Sequence, residues 1–327
     1  MEKQAEDILS LQLRLIVNYC RTILIKAAIK DLEKRRTMSN RQLNEKLVHC
    51  LTVDVEGFAE GMAESFPIRE EYFNDAETDR EIEINVNETL AGLERLGVKA
   101  TFFVLGRVAE HLPKLMRLIT DNGHELGSHS FWHKRIFNQS QSEFRADLRR
   151  SKDVLENSGG CRVNGFRAPD FSIRTDSLWI LAEIREAGFE YDSSLTPTDI
   201  HDVYGMPDVP EGIHRHRNGL WEFPGATFKA LGRTIPYGGG GYLRLYPIAL
   251  SRALIRRSEK AGIPAMLYSH PYELASQRPQ VRPISFYRRF RHYYHCQGGL
   301  NRLARVLDGF KVDTASAVLK QHGMGRE

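Results

Sequence analysis

From about residue 47 onward, short apolar segments alternate with helical patterns along the chain. The first of these segments, His49–Val55, is rich in β-branched residues and is typical of a strand buried on both faces. Repeated strand–helix units favour parallel strands joined by right-handed crossovers. No Gly-x-Gly-x-x-Gly or Gly-x-x-x-x-Gly-Lys-Ser/Thr motif follows the first strand, which weakens a nucleotide-binding sheet. We therefore predict an α/β fold, preferably a closed or nearly closed barrel.

The same periodicities predict the remaining elements. We expect further strands at 100–105, 125–128, 165–167, 189–191 and 265–269, and helices at 108–122, 142–158, 176–187 and 248–261. Asn85-x-x-Glu88 has the form of a capping box that opens another helix, and Gly97 is placed to end it. The Pro- and Gly-rich stretch 196–241 is expected to be irregular. Its four consecutive glycines, 238–241, are interpreted as a flexible rim loop, with close approach to a sugar chain as the alternative.

Residues 1–46 stand apart from this pattern and are expected to form one or two amphipathic helices. A helical extension packed on the main domain is the preferred interpretation; an interfacial membrane anchor and a dimerising helix are the alternatives. The most apolar stretch, 11–29, is interrupted by polar and charged residues and lacks the features of a secretory signal. We therefore predict two regions, a helical extension at 1–46 and a barrel domain at 47–323.

The net charge and the cysteine content indicate which binding partners and which cellular compartment to expect. A formal charge of +4 over 327 residues does not favour nucleic acid as a partner. The four cysteines, Cys20, Cys50, Cys161 and Cys296, have no Cys-x-x-Cys spacing, which argues against a disulfide framework or a thiolate zinc site. We expect a cytoplasmic protein, with peripheral contact to the inner membrane as a further expectation.

Polar residues stand at the predicted carboxyl ends of strands, where βα barrels place their chemistry. Asp54 and Glu56 end the first strand and project to the same side, because side chains alternate along a strand. His129 and His133 follow the third strand, and two imidazoles four residues apart share one face if the segment turns helically. Together with one of the carboxylates they predict an open, two-histidine, one-carboxylate metal site.

Two further strand ends carry a charged or titratable side chain. Arg167 ends the fourth strand, and a fixed positive charge beside two carboxylates can hold one of them ionised and oriented as a general base. His270 ends a late strand, where an imidazole suits a general acid near neutral pH. Taken singly, Arg167 is equally well explained as a surface residue beside a turn, and His270 is better explained as a structural residue.

The order of these motifs is more specific than any one of them. Asp-x-Glu, His-x-x-x-His, Arg-x-Pro and a late Leu-x-x-His, in this order, resemble the signature of the polysaccharide deacetylases, the NodB-homology family or carbohydrate esterase family four. The resemblance runs from about Val48 to about Leu319. It is closest to the exosortase-associated exopolysaccharide branch, through segments such as 166–169, 191–195 and 268–273. It implies a distorted (β/α)7 barrel that removes acetyl groups from N-acetylhexosamine units of a polysaccharide or lipid-linked glycan and releases acetate.

The resemblance also implies the catalytic roles. Asp54 would be the base, Arg167 would orient it, and His270 would be the acid. The backbone N–H of Asp170 would help to stabilise the oxyanion. Many relatives have an aromatic residue at the position of Asp170, but the implied role belongs to the main chain.

A divalent metal ion is implied as well, with zinc preferred and cobalt or nickel as alternatives. Its ligands would be Glu56, His129 and His133. Many relatives carry adjacent Asp-Asp after the first strand, whereas Val55 separates the two carboxylates here.

The usual late Asp-Trp pocket motif of the family has no clean match in this chain. Asp192 and Trp221 are candidates to replace it, and Tyr242 is a third candidate sugar contact. Two other functions remain open: a deformylase or other amide hydrolase acting on a lipid-linked aminosugar, and a non-catalytic carbohydrate-binding protein.

Overall fold

The computed structural model describes residues 47–62, 75–200, 204–230, 232–278, 293–294 and 297–325. The predicted helical extension at 1–46 lies outside these residues, as do Cys20 and Cys296. The strands are β1 (Val48–Val55), β2 (Thr101–Val104), β3 (Glu125–Ser128), β4 (Gly165–Phe166), β5 (Tyr191–Asp192), β6 (His214–Arg215), β7 (Trp221–Glu222), β8 (Thr227–Ala230), β9 (Arg233–Pro236), β10 (Met266–Ser269) and β11 (Lys311–Asp313). The α-helices are α1 (Phe58–Met62), α2 (Asp75–Leu96), α3 (Gly106–His111), α4 (Pro113–Asp121), α5 (Gln141–Gly159), α6 (Ile180–Glu186), α7 (Gly240–Leu245), α8 (Ile248–Ala261), α9 (Pro271–Leu274), α10 (Gly299–Leu307) and α11 (Ala315–Gln321).

One sheet forms the centre of the molecule, with the strand order β10-β1-β2-β3-β4-β5-β7-β6 and with β11 beside the start of β1. Its neighbouring strands are parallel except for the β6–β7 pair, and β8 and β9 form a separate antiparallel hairpin. The sheet is curled, as two contacts across its interior show. Arg167, which follows β4, reaches both Asp54 on β1 (2.6 Å) and Met266 on β10 (3.2 Å). The α/β barrel prediction is confirmed as an open, distorted barrel.

Side-chain alternation divides each strand between the barrel interior and the helix layer. On β1, Leu51, Val53 and Val55 pack into the large apolar core beneath the helices. The intervening Thr52 and Asp54 point into the barrel, where both accept hydrogen bonds from Arg167. Side chains on β1 therefore alternate between the barrel interior and the helix layer.

The carboxyl-terminal helix α11 covers the amino-terminal end of the barrel. The backbone N–H of Ala315 donates to Thr101 Oγ1 at the start of β2 (2.8 Å), and Ser316 donates to the Glu125 carboxylate at the start of β3. From the interior, the Tyr191 hydroxyl donates to the same carboxylate (3.0 Å). With this end covered, the functional residues gather at the opposite end of the barrel.

Three helix predictions were wrong in their limits. Helix α6 begins at Ile180 and not at the predicted residue 176, and two others differ further. Helix α2 begins at Asp75, ten residues before the predicted cap, so Asn85 lies inside the helix, where its amide donates to the Gln277 carbonyl (2.8 Å). The predicted end of this helix at Gly97 is confirmed by the left-handed backbone of that residue (φ 63°). The predicted helix 108–122 is two helices, because Pro113 has no N–H to continue the first and opens the second.

The stretch 196–241 is more ordered than its composition predicts, since it contains β6 to β9. The prediction of a flexible rim loop at 238–241 was wrong. A Cβ atom on Gly238 would lie 2.3 Å from the Met266 carbonyl oxygen, and one on Gly239 would lie 2.6 Å from the Tyr268 ring. These glycines permit close packing against β10.

Within the described part of the chain, no helix is long and apolar enough to cross a membrane. Cys50 and Cys161, the two cysteines in that part, are free thiols.

Candidate active site

Asp54 is held in place by the guanidinium group of Arg167. Arg167 is fully buried, and its Nη1 donates to Asp54 Oδ1 and to Thr52 Oγ1, both at 2.6 Å. Its other nitrogens donate to the side-chain and main-chain oxygens of Ser193, at 2.9 and 3.1 Å. The Phe103 ring packs against the guanidinium carbon at 4.2 Å. Every side of the Arg167 head is therefore occupied, so the position of the Asp54 carboxylate is fixed by a rigid partner.

Glu56, His129 and His133 converge next to this pair. The three side chains are buried, and their ligand atoms lie within 4.8 Å of one another. His133 Nε2 is 2.5 Å and His129 Nε2 is 3.4 Å from Glu56 Oε2. Burial alone would raise the pKa of Glu56, but the imidazoles of His133 and His270 hold it well below its usual range. Burial alone would lower the pKa of His133, but the Glu56 carboxylate raises it to about 9.

The two histidines are brought together by a tight loop and not by the helical turn that their spacing predicts. Ser130 and His133 have left-handed backbone conformations, with φ of 66° and 56°. The other non-glycine residues of the described chain with positive φ, Asp170 and Phe171, lie in the loop after β4. Strained backbone of this kind persists where the surrounding structure imposes it, commonly at functional sites.

The three converging residues fit a divalent cation. One carboxylate and two imidazoles form a hard and borderline donor set that suits zinc and leaves open coordination positions. The His129 Nδ1–H donates to the Arg167 carbonyl oxygen (2.9 Å), which leaves the Nε2 lone pair free to face Glu56. Glu56 Oε2 is buried and accepts no well-aligned hydrogen bond within the described residues.

His270 lies on the other side of Glu56, at the end of β10. Its Nε2 is 3.4 Å from Glu56 Oε1, and its Nδ1 is 2.9 Å from Glu273 Oε2. Tyr272 stacks on the imidazole at 4.8 Å between ring centroids, and its hydroxyl donates to Glu56 Oε1 (3.1 Å). Burial alone would lower the pKa of His270, but Glu56 and Glu273 raise it to about 9. A protonated imidazole at neutral pH is what a general acid requires.

The remaining predicted catalytic residue, Asp170, lies in the loop after β4 in a left-handed conformation (φ 52°). Its side chain accepts a hydrogen bond from Arg135 Nε (2.7 Å). The contact of its N–H with an oxyanion stays a prediction.

Of the three predicted sugar contacts, the structure brings only Tyr242 near this group. Tyr242 lies on α7 shortly after Gly239, on which an added Cβ atom would lie 2.6 Å from the Tyr268 ring, and that ring lies 6.1 Å from the His270 ring. Tyr242 therefore lies on the same side of the barrel as the acid.

Asp192 is not at the site. It is fully buried and turned away from the barrel interior, into which its neighbour Tyr191 points. It accepts a hydrogen bond from the Ser194 hydroxyl (2.5 Å). A side chain without exposure at the cavity has no access to a sugar, so the prediction of Asp192 as a substrate contact was wrong.

Trp221 is not at the site either. Its ring packs against the apolar cluster that contains Ala315 and Val318, and a Cβ atom on Gly323 would lie 3.7 Å from it. These neighbours belong to the covered, amino-terminal end of the barrel. Trp221 is a partly buried packing residue at that end and not a candidate sugar platform.

Sequence reasoning missed the side chains that support these groups, including Thr52, Ser193, Tyr272 and Glu273. Glu273 had a readable signal, because a Glu three residues after the residue that opens a helix is half of a capping box. The structure has this pattern, with His270 at the start of α9 and Glu273 at its third position. Ser193 had no such signal, since its contact with Arg167 spans 26 residues.

Two family models match consecutive segments of the chain. Residues 73–191 match the polysaccharide deacetylase model. Residues 193–320 match a domain of unknown function, DUF3473. The similarity to the polysaccharide deacetylase model is therefore confined to residues 73–191 of this chain. His129, His133 and Arg167 fall in the deacetylase segment, whereas His270 and Glu273 fall in the other.

Parts of the chain are also similar to curated proteins that are named as deacetylases. The chain is 31% identical over 86 residues to the peptidoglycan-N-acetylglucosamine deacetylase of Bacillus cereus, covering 26% of this chain and 31% of that one. It is 27% identical over 124 residues to the peptidoglycan deacetylase of Helicobacter pylori, covering 37% and 41% respectively. The matches therefore span less than half the length of these relatives.

A solved structure has the same fold. A Mycobacterium smegmatis protein assigned to the polysaccharide deacetylases superposes with a TM-score of 0.58 at 19% identity, covering 87% of this chain and 92% of that one. At this identity, the comparison bears on the fold alone. It extends over most of the chain.

Proposed function

We propose that this protein is a metal-dependent deacetylase that hydrolyses the N-acetyl group of hexosamine units in a glycan and releases acetate. The observation that carries the proposal is the convergence of three chemically distinct groups at one end of the barrel. These groups are a carboxylate fixed by Arg167, a donor set of Glu56, His129 and His133, and an imidazole at His270. Amide hydrolysis requires a base, a means of polarising the carbonyl group and an acid for the leaving amine.

A divalent ion bound by Glu56, His129 and His133 would polarise the acetyl carbonyl group and lower the pKa of a water molecule from 15.7 toward about 7. Asp54 accepts a proton from the attacking water as its oxygen bonds to the carbonyl carbon. His270 donates a proton to the amide nitrogen as the carbon–nitrogen bond breaks. The products are acetate and a free amine, so the atoms and charges balance.

Two further contacts complete the proposal. The backbone N–H of Asp170 donates to the developing oxyanion, where one such donor contributes roughly 3 kcal/mol of transition-state stabilisation. Tyr242 contacts the sugar chain from the side of His270. Zinc is the preferred metal because its usual ligands are imidazoles and carboxylates, and cobalt or nickel are the alternatives.

The nature of the glycan is a finer part of the proposal. The sequence motifs favour an exopolysaccharide or lipid-linked glycan, as in the exosortase-associated branch, whereas the curated relatives are named for peptidoglycan. A cytoplasmic location and a peripheral contact with the inner membrane stay predictions.

The competing function is a deformylase or other amide hydrolase acting on a lipid-linked aminosugar. It would use the same base, metal ligands and acid, and it would differ only in the space available to the acyl group. A carbohydrate-binding protein without activity is less well supported, because binding alone needs no base, metal set and acid together.

The test is product release from N-acetylated and N-formylated glycan oligosaccharides by protein loaded with zinc. We expect acetate from the wild-type protein and none from Asp54→Asn, which keeps the metal ligands. Formate without acetate would favour the deformylase, and neither product from any N-acylated glycan would favour the binding protein. Asp192→Asn is the matched control, because this carboxyl lies outside the site and should leave acetate release near the wild-type rate.

A further inference from the structure

The segment 193–320, which matches only a domain of unknown function, contains a charged relay behind His270. Its members are Arg244 on α7, Glu273 on α9 and His270 itself. Arg244 Nε donates to Glu273 Oε1 (2.9 Å), and Glu273 Oε2 lies 2.9 Å from His270 Nδ1. Arg244 and Glu273 are 6% and 4% exposed, so solvent does not compete for these contacts.

Both oxygens of the Glu273 carboxylate are committed. Besides the imidazole, Oε2 accepts the backbone N–H of His270 and the hydroxyl of Ser269, each at 3.1 Å. Because Arg244 occupies the other oxygen, the carboxylate has little rotational freedom. The imidazole ring that it contacts is consequently fixed in orientation.

This contact decides which nitrogen of His270 faces the substrate. A proton on Nδ1 that is donated to Glu273 directs Nε2 toward Glu56, from which it lies 3.4 Å away. Asp54 receives the same kind of support from Arg167 on the opposite wall. The base and the acid are therefore each held by a buried arginine, directly in one case and through a carboxylate in the other.

The glycine stretch makes this relay sterically feasible. Gly240 lies so close to Glu273 that an added Cβ atom would lie 1.8 Å from Oε2. Nothing lies within 4 Å of a Cβ atom on the next residue, Gly241. A side chain at the first position would displace the carboxylate from His270, whereas one at the second position would not.

We propose that Glu273, held by Arg244 and accommodated by Gly240, is the positioning residue that orients His270, and that the segment 193–320 thereby supplies the acid half of the active site. The inference rests on the proposed function for its catalytic consequence. Its structural core, the orientation of one imidazole by one carboxylate, does not depend on that function.

The catalytic test compares an amide with an ester. Hydrolysis of an N-acetylated oligosaccharide needs a proton for the leaving amine, whereas p-nitrophenyl acetate releases a stable anion that needs none. We expect Glu273→Gln and Gly240→Ala to lower the ratio of amide to ester hydrolysis by about 10- to 100-fold. Gly241→Ala should keep the wild-type ratio. Bound zinc should be unchanged in all three variants, since none of these residues is a proposed ligand.

A parallel loss of amide and ester hydrolysis, or no loss of either, would overturn the inference, because a purely structural role gives no selectivity between leaving groups. Imidazole NMR on histidine-labelled protein provides a readout that is independent of activity. The His270 signal, assigned with His270→Gln, should report an Nδ1–H in the wild type and in Gly241→Ala, and its loss or shift in Glu273→Gln. If the wild-type protein released no acetate, the proposed function would fail. The NMR comparison would still support or refute the orientation of His270.

Discussion

Arg167 Nη1 lies 2.6 Å from Asp54 Oδ1, and both side chains are almost completely buried inside the barrel. The pair joins the end of β1 to the loop after β4, so it links the proposed base to the wall that carries Asp170. A buried ion pair is costly to break, because removing one partner leaves the other charge uncompensated.

We therefore predict that Arg167→Met destabilises the fold by about 3–5 kcal/mol and abolishes acetate release. The free energy of unfolding is measured by urea denaturation, and acetate is measured on the fraction that remains folded. Arg233→Met is the matched control, because its ion pair with Asp199 is at the surface, with 63% of the arginine side chain exposed. It should cost less than about 1 kcal/mol. Equal costs for the two variants would contradict the role of burial.

Metal binding should stabilise the folded protein. A ligand that binds the native state alone stabilises it by about 2.7 kcal/mol when present at a hundred times its dissociation constant. We expect zinc to raise the melting temperature of the wild-type protein and of His214→Ala, a histidine remote from the site. It should leave His129→Ala and Glu56→Gln unchanged. A zinc-dependent rise in His129→Ala equal to that of the wild type would exclude His129 as a ligand.

Much of the fold could be read from the sequence because the local signals are strong. The strand at 125–128 and the helix at 248–261 have the predicted limits, since apolar periodicity and flanking glycines define both. The short strands β4 to β7 have two residues each and leave almost no periodic signal. Their pairing depends on distant neighbours, so β6 and β7 were missed.

The candidate site was predictable where a polar side chain follows an apolar strand. That rule found the groups at 54, 56, 129, 133, 167 and 270, all of which converge in the structure. Asp192 and Trp221 were chosen instead as replacements for the late Asp-Trp motif, and neither lies at the site. The register of β5 turns the Asp192 carboxyl outward, and only the three-dimensional pairing fixes that register. Trp221 begins β7 at the opposite end of the barrel from the site.

Two buried histidines predict acid-sensitive stability. His49 Nδ1 accepts the backbone N–H of Ala265 (3.0 Å), and His124 Nδ1 accepts that of Ala100 (3.1 Å). Burial lowers the pKa of each to about 4, below the unfolded value of about 6.5. The unfolded state therefore binds protons first, so stability is complete above about pH 6.5 and falls as the pH drops toward 4.

We expect His49→Gln and His124→Asn to flatten this loss, because an amide oxygen accepts the same N–H and does not titrate. The loss of stability is measured from the urea midpoints of unfolding between pH 4 and 8. At pH 8 the histidines are neutral, so the difference between variant and wild type there reports the cost of the altered side-chain shape alone. A wild-type slope retained in the double variant would exclude these two histidines as its source.

A buried carboxyl pair predicts that stability falls as the pH rises, which is opposite to the effect of the two histidines. Glu222 is fully buried beside Asp192, and its Oε1 accepts the backbone N–H of Leu195 (3.1 Å). Burial raises the pKa of Glu222 to about 8, and burial with the neighbouring Glu222 raises that of Asp192. A carboxyl group whose folded pKa is raised contributes stability below its unfolded pKa and loses it as the pH rises toward the folded value.

The wild-type free energy of unfolding should accordingly fall between about pH 5 and 8 through this pair. Glu222→Gln removes one of the two charges, and its amide still offers an oxygen to Leu195 and an N–H to Asp192. We expect the variant to be more stable than the wild type at pH 9 by about 1–3 kcal/mol and nearly equal to it at pH 5. The paired comparison at these two pH values cancels the effect of the altered shape. A Glu222→Gln protein that is destabilised equally at both would show that Glu222 is ionised in the folded state and that Leu195 depends on its charge.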